Sequence, residues 1–295
     1  MSLGSNECRL AALSRLTKLA FFHRLPPIML TALPQFGFIE IRGVDAEKFF
    51  QGYCTRDLSQ LGNGLAMYTA IPTIQGRVLS TAAIARLSDA NSADNEPGLL
   101  LRLDQQMVDP VINALKKFIV FSKASITDKS DVLACYATRL PSDRDVLTFS
   151  EEDQEGEIWT SESLDAPIID GGWTARALGR GFLWTTQTES DQFLPQELAM
   201  DQFGGVDFDK GCYLGQEIIA RVHFKGKTKQ AVRIGQIDQL VQGDEPLTVT
   251  DSEGASIGAV IQAAQLEDHW VVAAMIKRDA QVEGARIGDA SLSFI

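Results

Sequence analysis

Residues 203–229 read FGGVDFDKGCYLGQEIIARVHFKGKTK, and the rest of the chain is arranged around this stretch. Gly204, Gly205, Gly211 and Gly215 suit a tight turn or the close approach of a ligand. Lys210, Cys212, Tyr213, Gln216, Glu217 and Arg221 then set six polar or reactive groups within twelve residues. After Gly215 the spacing predicts a short helix over QEIIARVHF. Glu217 and Arg221 stand four apart and are expected to pair, and Ile218 and Val222 form an apolar pair at the same spacing. On spacing alone two readings stay open: a glycine-rich turn capping a buried helix, and a reactive site. No triad and no metal-ligand spacing occurs in the stretch.

Outward from it, the whole sequence has 295 residues, 45% of them apolar, which is enough for a sizeable core and for two or three domains. The net charge of −12 is not the footprint of a nucleic-acid binder. Lys225, Lys227, Lys229 and Arg233 are a local exception, either a solvated loop or a contact for an anionic ligand. Cys8, Cys54, Cys135 and Cys212 lie far apart, with no Cys-x-x-Cys pair, so neither a zinc ribbon nor a cluster-ligand run is encoded. So few cysteines favour a reducing compartment, and a cytoplasmic protein is expected. No apolar run approaches the roughly 20 residues of a membrane span. Residues 1–30 read as a leader in which Leu10, Leu13, Leu16 and Leu19 recur at helical spacing before Pro26 and Pro27.

In chain order, 36–43 reads as a strand, and Asp45 as the N-cap of a short helix with Phe49 and Phe50 inward. Thr55-Arg56-Asp57 reads as a polar turn. Residues 65–88 predict a hairpin turning at Pro72, Gln75 and Gly76. GLLLRLD is a buried strand, and 106–121 predicts a helix with Val111, Ala114, Leu115 and Phe118 on one face. KASITDKS and VLACYATR read as a further strand pair, with Cys135 as core packing. Residues 141–172 are expected to be loops and short edge strands without chemistry, and 172–184 to return to strand. After Arg233, short apolar runs separated by Gly, Asp and Pro predict a small β-barrel with turns at Gly254 and Gly258. Strand, helix and paired strands in this order give an α+β fold with antiparallel, ferredoxin-like layers.

The octet KGCYLGQE (210–217), with Ala220-Arg221 and Lys225-Gly226 after it, resembles the signature of the YgfZ family of folate-binding proteins, relatives of the glycine-cleavage T protein. GVDAEKFFQGYCTRDL (43–58), QGRVLSTAAIARL (75–87) and LPQELAMDQFGGVDF (194–208) resemble further stretches of that family, so the likeness spans about residues 36–278. The resemblance implies a T-protein-like three-domain ring. Its parts would be a leader at 1–30, a folate-binding α+β core of two intertwined subdomains at 31–229, and a C-terminal β-barrel at 230–295.

It further implies a tetrahydrofolate-binding accessory protein in the assembly or repair of iron–sulfur enzymes, with an indirect effect on tRNA modification. The alternatives are a folate-dependent aminomethyltransferase-like enzyme and a folate-free scaffold. Tetrahydrofolate or a derivative would be held by Asp57, Lys210, Gly211, Cys212, Tyr213, Gln216, Glu217 and Arg221. Cys212 would be the reactive thiol with Lys210 as its neighbour. The implied partners are folate and iron–sulfur client or assembly proteins, with no direct nucleic acid and no membrane. The sequence departs from the family at one place. The glutamate that holds the pterin in the T protein and many relatives falls, in the best register, on Gly179, and Glu189, Asp191 or Glu197 would substitute only if the loop bends back.

Overall fold

The structure is a computed structural model and describes residues 30–62, 64–87, 96–139, 155–168, 172–240 and 247–295. The expected leader lies outside the described residues except for Leu30. The chain divides into two compact units: Met1–Thr69 with Ala82–Ile168, and Ala70–Thr81 with Ile169–Ile295.

The first unit is built on an antiparallel sheet. Strands β2 (Phe36–Arg42), β3 (Met67–Pro72), β4 (Val78–Leu87), β5 (Gly98–Asp104) and β6 (Ser125–Asp128) take the order β3-β4-β5-β2-β6. The predicted hairpin is β3–β4, and its tip belongs to the second unit. β2 and β5 are sandwiched between neighbours, and Phe38, Ile39, Ile41, Leu99, Leu101 and Leu103 are all buried. A smaller antiparallel sheet has β7 (Ala134–Arg139) between β1 (Leu30–Ala32) and β8 (Glu155–Thr160).

Helix α1 (Ala46–Gln51) buries Phe49 and Phe50 as expected. Asp45 stands at its N-cap position but makes no side-chain cap; its carboxylate instead accepts from the Lys123 N–H at 2.8 Å. Helix α2 (Val108–Ile119) buries Val108, Val111, Ile112 and Leu115, the i, i+3, i+4, i+7 face of an amphipathic helix. Phe118, assigned to that face from the sequence, is instead half exposed and stacked on Tyr53, with ring centroids 5.0 Å apart.

Two further expectations of this unit give way. The segments 123–130 and 132–139 do not pair: β6 adds to the edge of β2, whereas β7 joins the other sheet. The turn between them is held against β2, where Lys129 N–H donates to Phe38 O at 2.9 Å and Phe38 N–H donates to Ser130 Oγ at 3.0 Å. The chain therefore crosses between sheets where a hairpin would have turned it back. β8 is an edge strand as read, but it carries the buried carboxylate of Glu157, to which the sequence reading assigned nothing.

The second unit holds helix α3 (Gly172–Gly179), and strands β9 (Gln230–Ile237), β10 (Thr248–Thr250), β11 (Ser256–Leu266), β12 (His269–Lys277), β13 (Arg286–Ile287), β14 (Ala290–Ser291) and β15 (Ser293–Phe294). The strands run β14-β13-β10-β11-β12-β9-β15. β14 and β15 follow one another in the chain yet sit at opposite ends of that order, so the sheet curls into a nearly closed barrel around Ile237, Val249, Ile257, Val272, Ala274, Ile276 and Ile287. This is the predicted barrel.

Residues 172–179, read as strand, are helical. Trp173 and Ala177 stand four apart and are buried with Ala175 and Leu178, and α3 packs on β11, β12 and β9. Ala175, Arg176, Ala177 and Leu178 are good helix formers, and the barrel wall offers the apolar side a surface. Gly254 sits in a turn as read. Gly258 does not; it lies within β11, where a Cβ would come 2.1 Å from Met275 O.

Candidate functional site

Helix α4 (Gln216–Lys225) begins where the spacing places it, directly after Gly215. Gly215 has φ +76°, a left-handed backbone that glycine adopts without a side-chain clash. A Cβ there would lie 2.4 Å from Thr73 O and 2.8 Å from Gly76 Cα. Gly76, at φ +72°, answers it: a Cβ on Gly76 would lie 3.1 Å from the Ile218 Cβ. The turn before α4 thus seats backbone to backbone on the tip of the β3–β4 hairpin. The signal for this seat was present in the sequence as Gly76 in QGRVLS, but nothing in the spacing linked it to a segment 139 residues further on.

The hairpin tip is itself pinned. Thr73 N–H donates to Arg77 O at 2.8 Å and Gly76 N–H to Thr73 O at 2.9 Å. Segment 183–193 runs along the start of β4. There Val78 N–H donates to Phe193 O, and Asp191 N–H to Val78 O, both at 2.8 Å. Thr81 Oγ1 donates to Leu183 O at 2.8 Å and accepts from Thr185 N–H at 2.9 Å. Arg77 donates to Gln192 O.

Within the octet, Lys210 is only 6% exposed, and its Nζ stands 5.0 Å from the centre of the Tyr213 ring, a cation–π geometry. Tyr213 is buried. Gly211 and Cys212 between them are exposed, and Gly211 has open space around its Cα. The octet therefore folds its cation and ring inward and presents its thiol outward. Gln216 is half-buried at the start of α4, and Glu217 and Arg221 are exposed.

The expected Glu217–Arg221 ion pair does not form among the described residues. Ile219, not the expected Ile218–Val222 pair, is the residue α4 buries fully; Ile218 is 39% exposed. Gln196 Nε2 donates to Ile219 O at 2.7 Å and ties α4 to segment 194–200. Further on, His223 stacks on Phe208 with centroids 3.6 Å apart, and Phe224 meets both rings edge-on.

Asp57 belongs to the first unit, the octet to the second. There Asp57 Oδ1 accepts from Gln51 Nε2 at 2.9 Å and from Ser59 N–H at 3.0 Å, the structural capping that a polar turn predicts. Thr55 and Thr69 share hydrogen bonds beneath it, with 3.1 Å between the two Oγ1 atoms.

Gly179 ends α3, and a Cβ built on it meets nothing within 4 Å. The carboxylates considered as replacements for the pterin glutamate are each committed locally. Glu189 Oε2 accepts from Thr186 N–H at 2.9 Å and from Thr186 Oγ1 at 2.5 Å. Asp191 accepts from Thr73 Oγ1 at 3.1 Å, and Glu197 accepts from Leu194 N–H at 2.9 Å. Asp201 is different: burial raises its carboxyl above the usual range, against the lowering effect of backbone N–H groups, His223 and Arg278.

Comparison with known proteins agrees with this architecture. No family model matches the chain. Proteins named "tRNA-modifying protein YgfZ" from Escherichia coli (strain K12) and Shigella flexneri are 27% identical over 286 residues, covering 85% of this chain and 85% of each relative. The solved structure of glycine cleavage system aminomethyltransferase T from Bartonella henselae superposes with a TM-score of 0.65 at 12% identity, over 90% of this chain and 84% of that one. No helix among the described residues is long and apolar enough to cross a membrane.

Proposed function

We propose that this chain, similar over most of its length to proteins named tRNA-modifying protein YgfZ and sharing its fold with a glycine-cleavage T protein, binds tetrahydrofolate or a derivative and serves as an accessory protein in the assembly or repair of iron–sulfur enzymes, with an indirect effect on tRNA modification. The observation that carries the reading is the octet turn, seated by Gly215 on the hairpin tip, with Lys210 turned in against Tyr213 and Cys212 turned out. A structural turn has no need to spend a buried lysine and an exposed thiol two positions apart. The residues fit a folate in part. The Tyr213 ring suits a flat heterocycle, and Gln216 and Arg221 suit its carboxylates. The piece missing is the carboxylate that would take the pterin N–H groups at position 179. The transferase-like alternative asks for that carboxylate, which favours the accessory role.

Isothermal titration calorimetry with tetrahydrofolate tests the proposal. Binding is expected, and it is expected to be weaker than in relatives with the glutamate. Restoring it as Gly179→Glu, into the open space at the end of α3, should tighten binding by about tenfold to a hundredfold, the worth of one charged hydrogen bond. An absence of heat with both proteins overturns folate binding and leaves the folate-free scaffold. Binding that Gly179→Glu leaves unchanged shows that the pterin lies elsewhere.

A further inference from the structure

Helix α4 carries a face that its own fold leaves uncovered. Phe224 is 68% exposed, Ile218 39%, and Ile74, in the hairpin tip on which α4 begins, 68%. Arg221 and Lys225 lie on the same face as Ile218, and both are exposed, as are Lys227, Lys229 and Arg233 beyond the helix. None of these five cations forms an ion pair among the described residues. From 218 to 237 the sequence has no Asp or Glu, although the chain as a whole carries −12.

Arg221 and Lys225 stand four apart, where like charges on a helix repel. Phe224 meets Phe208 and His223 edge-on, yet it, Ile218 and Ile74 still leave much of their apolar surface in water. A surface that combines both at one place is set up for something that removes both penalties. We propose that this face docks an acidic segment of a partner protein, whose carboxylates meet Lys225 and Lys227 and whose apolar side chains cover Ile74, Ile218 and Phe224. Charge complementarity selects this occupant. A nucleic acid would feel the chain's overall negative charge at long range, whereas a short acidic segment lies within a Debye length of about 8 Å and feels the local cations. A small anion would need converging buried donors and would have no use for the apolar residues. A segment held here lies along the helix that begins just past Cys212, which brings the partner to the exposed thiol.

The test is fluorescence anisotropy without folate, using the full chain and a labelled synthetic peptide that alternates glutamate and leucine. The peptide is expected to bind, more weakly as salt rises, and to lose about tenfold or more in affinity with Phe224→Ala and with Lys225→Glu. Lys225 is exposed and Phe224 makes only edge-on ring contacts, so both variants are expected to fold, and thermal melts matching the parent check this. Three results would overturn the proposal: an oligoglutamate without leucine that binds as well, a glutamine-for-glutamate peptide that binds as well, or an oligothymidylate that binds more tightly. Indifference to both substitutions overturns it too. Tetrahydrofolate titrations of the same two variants are expected to match the parent, so failure of the docking surface and failure of folate binding are read separately.

Discussion

At the scale of single residues, the described cysteines differ by environment. Cys54 and Cys135 are buried and Cys212 is exposed, while Cys8 lies outside the described residues. Cys54 donates to Arg56 O at 3.3 Å and serves the turn before Asp57. Burial pushes the Cys135 thiol well above its ordinary range, and the nearby Glu157 carboxylate pushes the same way against Arg102. Thiolates are the nucleophiles, so a thiol whose pKa is raised stays protonated and inert as pH passes the usual value of about 8.5. Iodoacetamide applied to native protein across pH, read by peptide mass spectrometry, should therefore modify Cys212 and spare Cys54 and Cys135 until the chain unfolds. If Cys212 is spared as well, the octet is a structural turn and its thiol has no role.

At the scale of elements, the unexpected feature is the bond between the two sheets of the first unit. Arg102 on β5 and Glu157 on β8 are fully buried and form a two-point ion pair, with Arg102 Nε 2.9 Å from Glu157 Oε2. Trp159 Nε1 donates to the same oxygen at 2.7 Å, and the Arg102 guanidinium lies 4.0 Å over the Phe36 ring. Removing one partner strands the other charge in the core. Glu157→Gln or Arg102→Met alone should cost about 3–5 kcal/mol, whereas replacing both with apolar residues should cost far less than the sum. Urea unfolding of the two single variants and the double variant measures this. A double variant that costs as much as the two singles together would show that the pair is no coupled unit.

At the scale of the whole molecule, the chain interleaves its two units. It leaves the first along β3 after Thr69 and returns along β4 at Ala82. Between those points the hairpin tip takes its hydrogen bonds from 183–193. Residues 1–168 made alone would leave Val78 and Thr81 without the segment that pairs them. This fragment is expected to lack a cooperative thermal transition in near-ultraviolet circular dichroism and to aggregate on size exclusion. Cooperative melting at the temperature of the full chain would show that the hairpin tip does not need 183–193.

What the sequence determined by itself was whatever local spacing or local turn chemistry can specify. Alternation and turn residues gave away β2, the β3–β4 hairpin and the barrel strands, because strand burial has a period of two that survives in the letters. The 3.6 period gave away α2 and α4, and the octet with its flanking motifs was legible as a family signature. What only the tertiary structure decided was partnership. α3 was misread because eight residues are too few to show a helical period, and the barrel wall chose their state. β6 and β7 look like a hairpin pair, but the hydrogen bonds of the turn between them to β2 send them to different sheets. The spacing marked Ile218 and Val222 as an apolar pair, but which side of α4 is buried was decided by its packing, and that side is Ile219. Glu157 stood in a polar stretch with no local mark, since its partner Arg102 is 55 residues away in sequence and meets it only when two sheets stack.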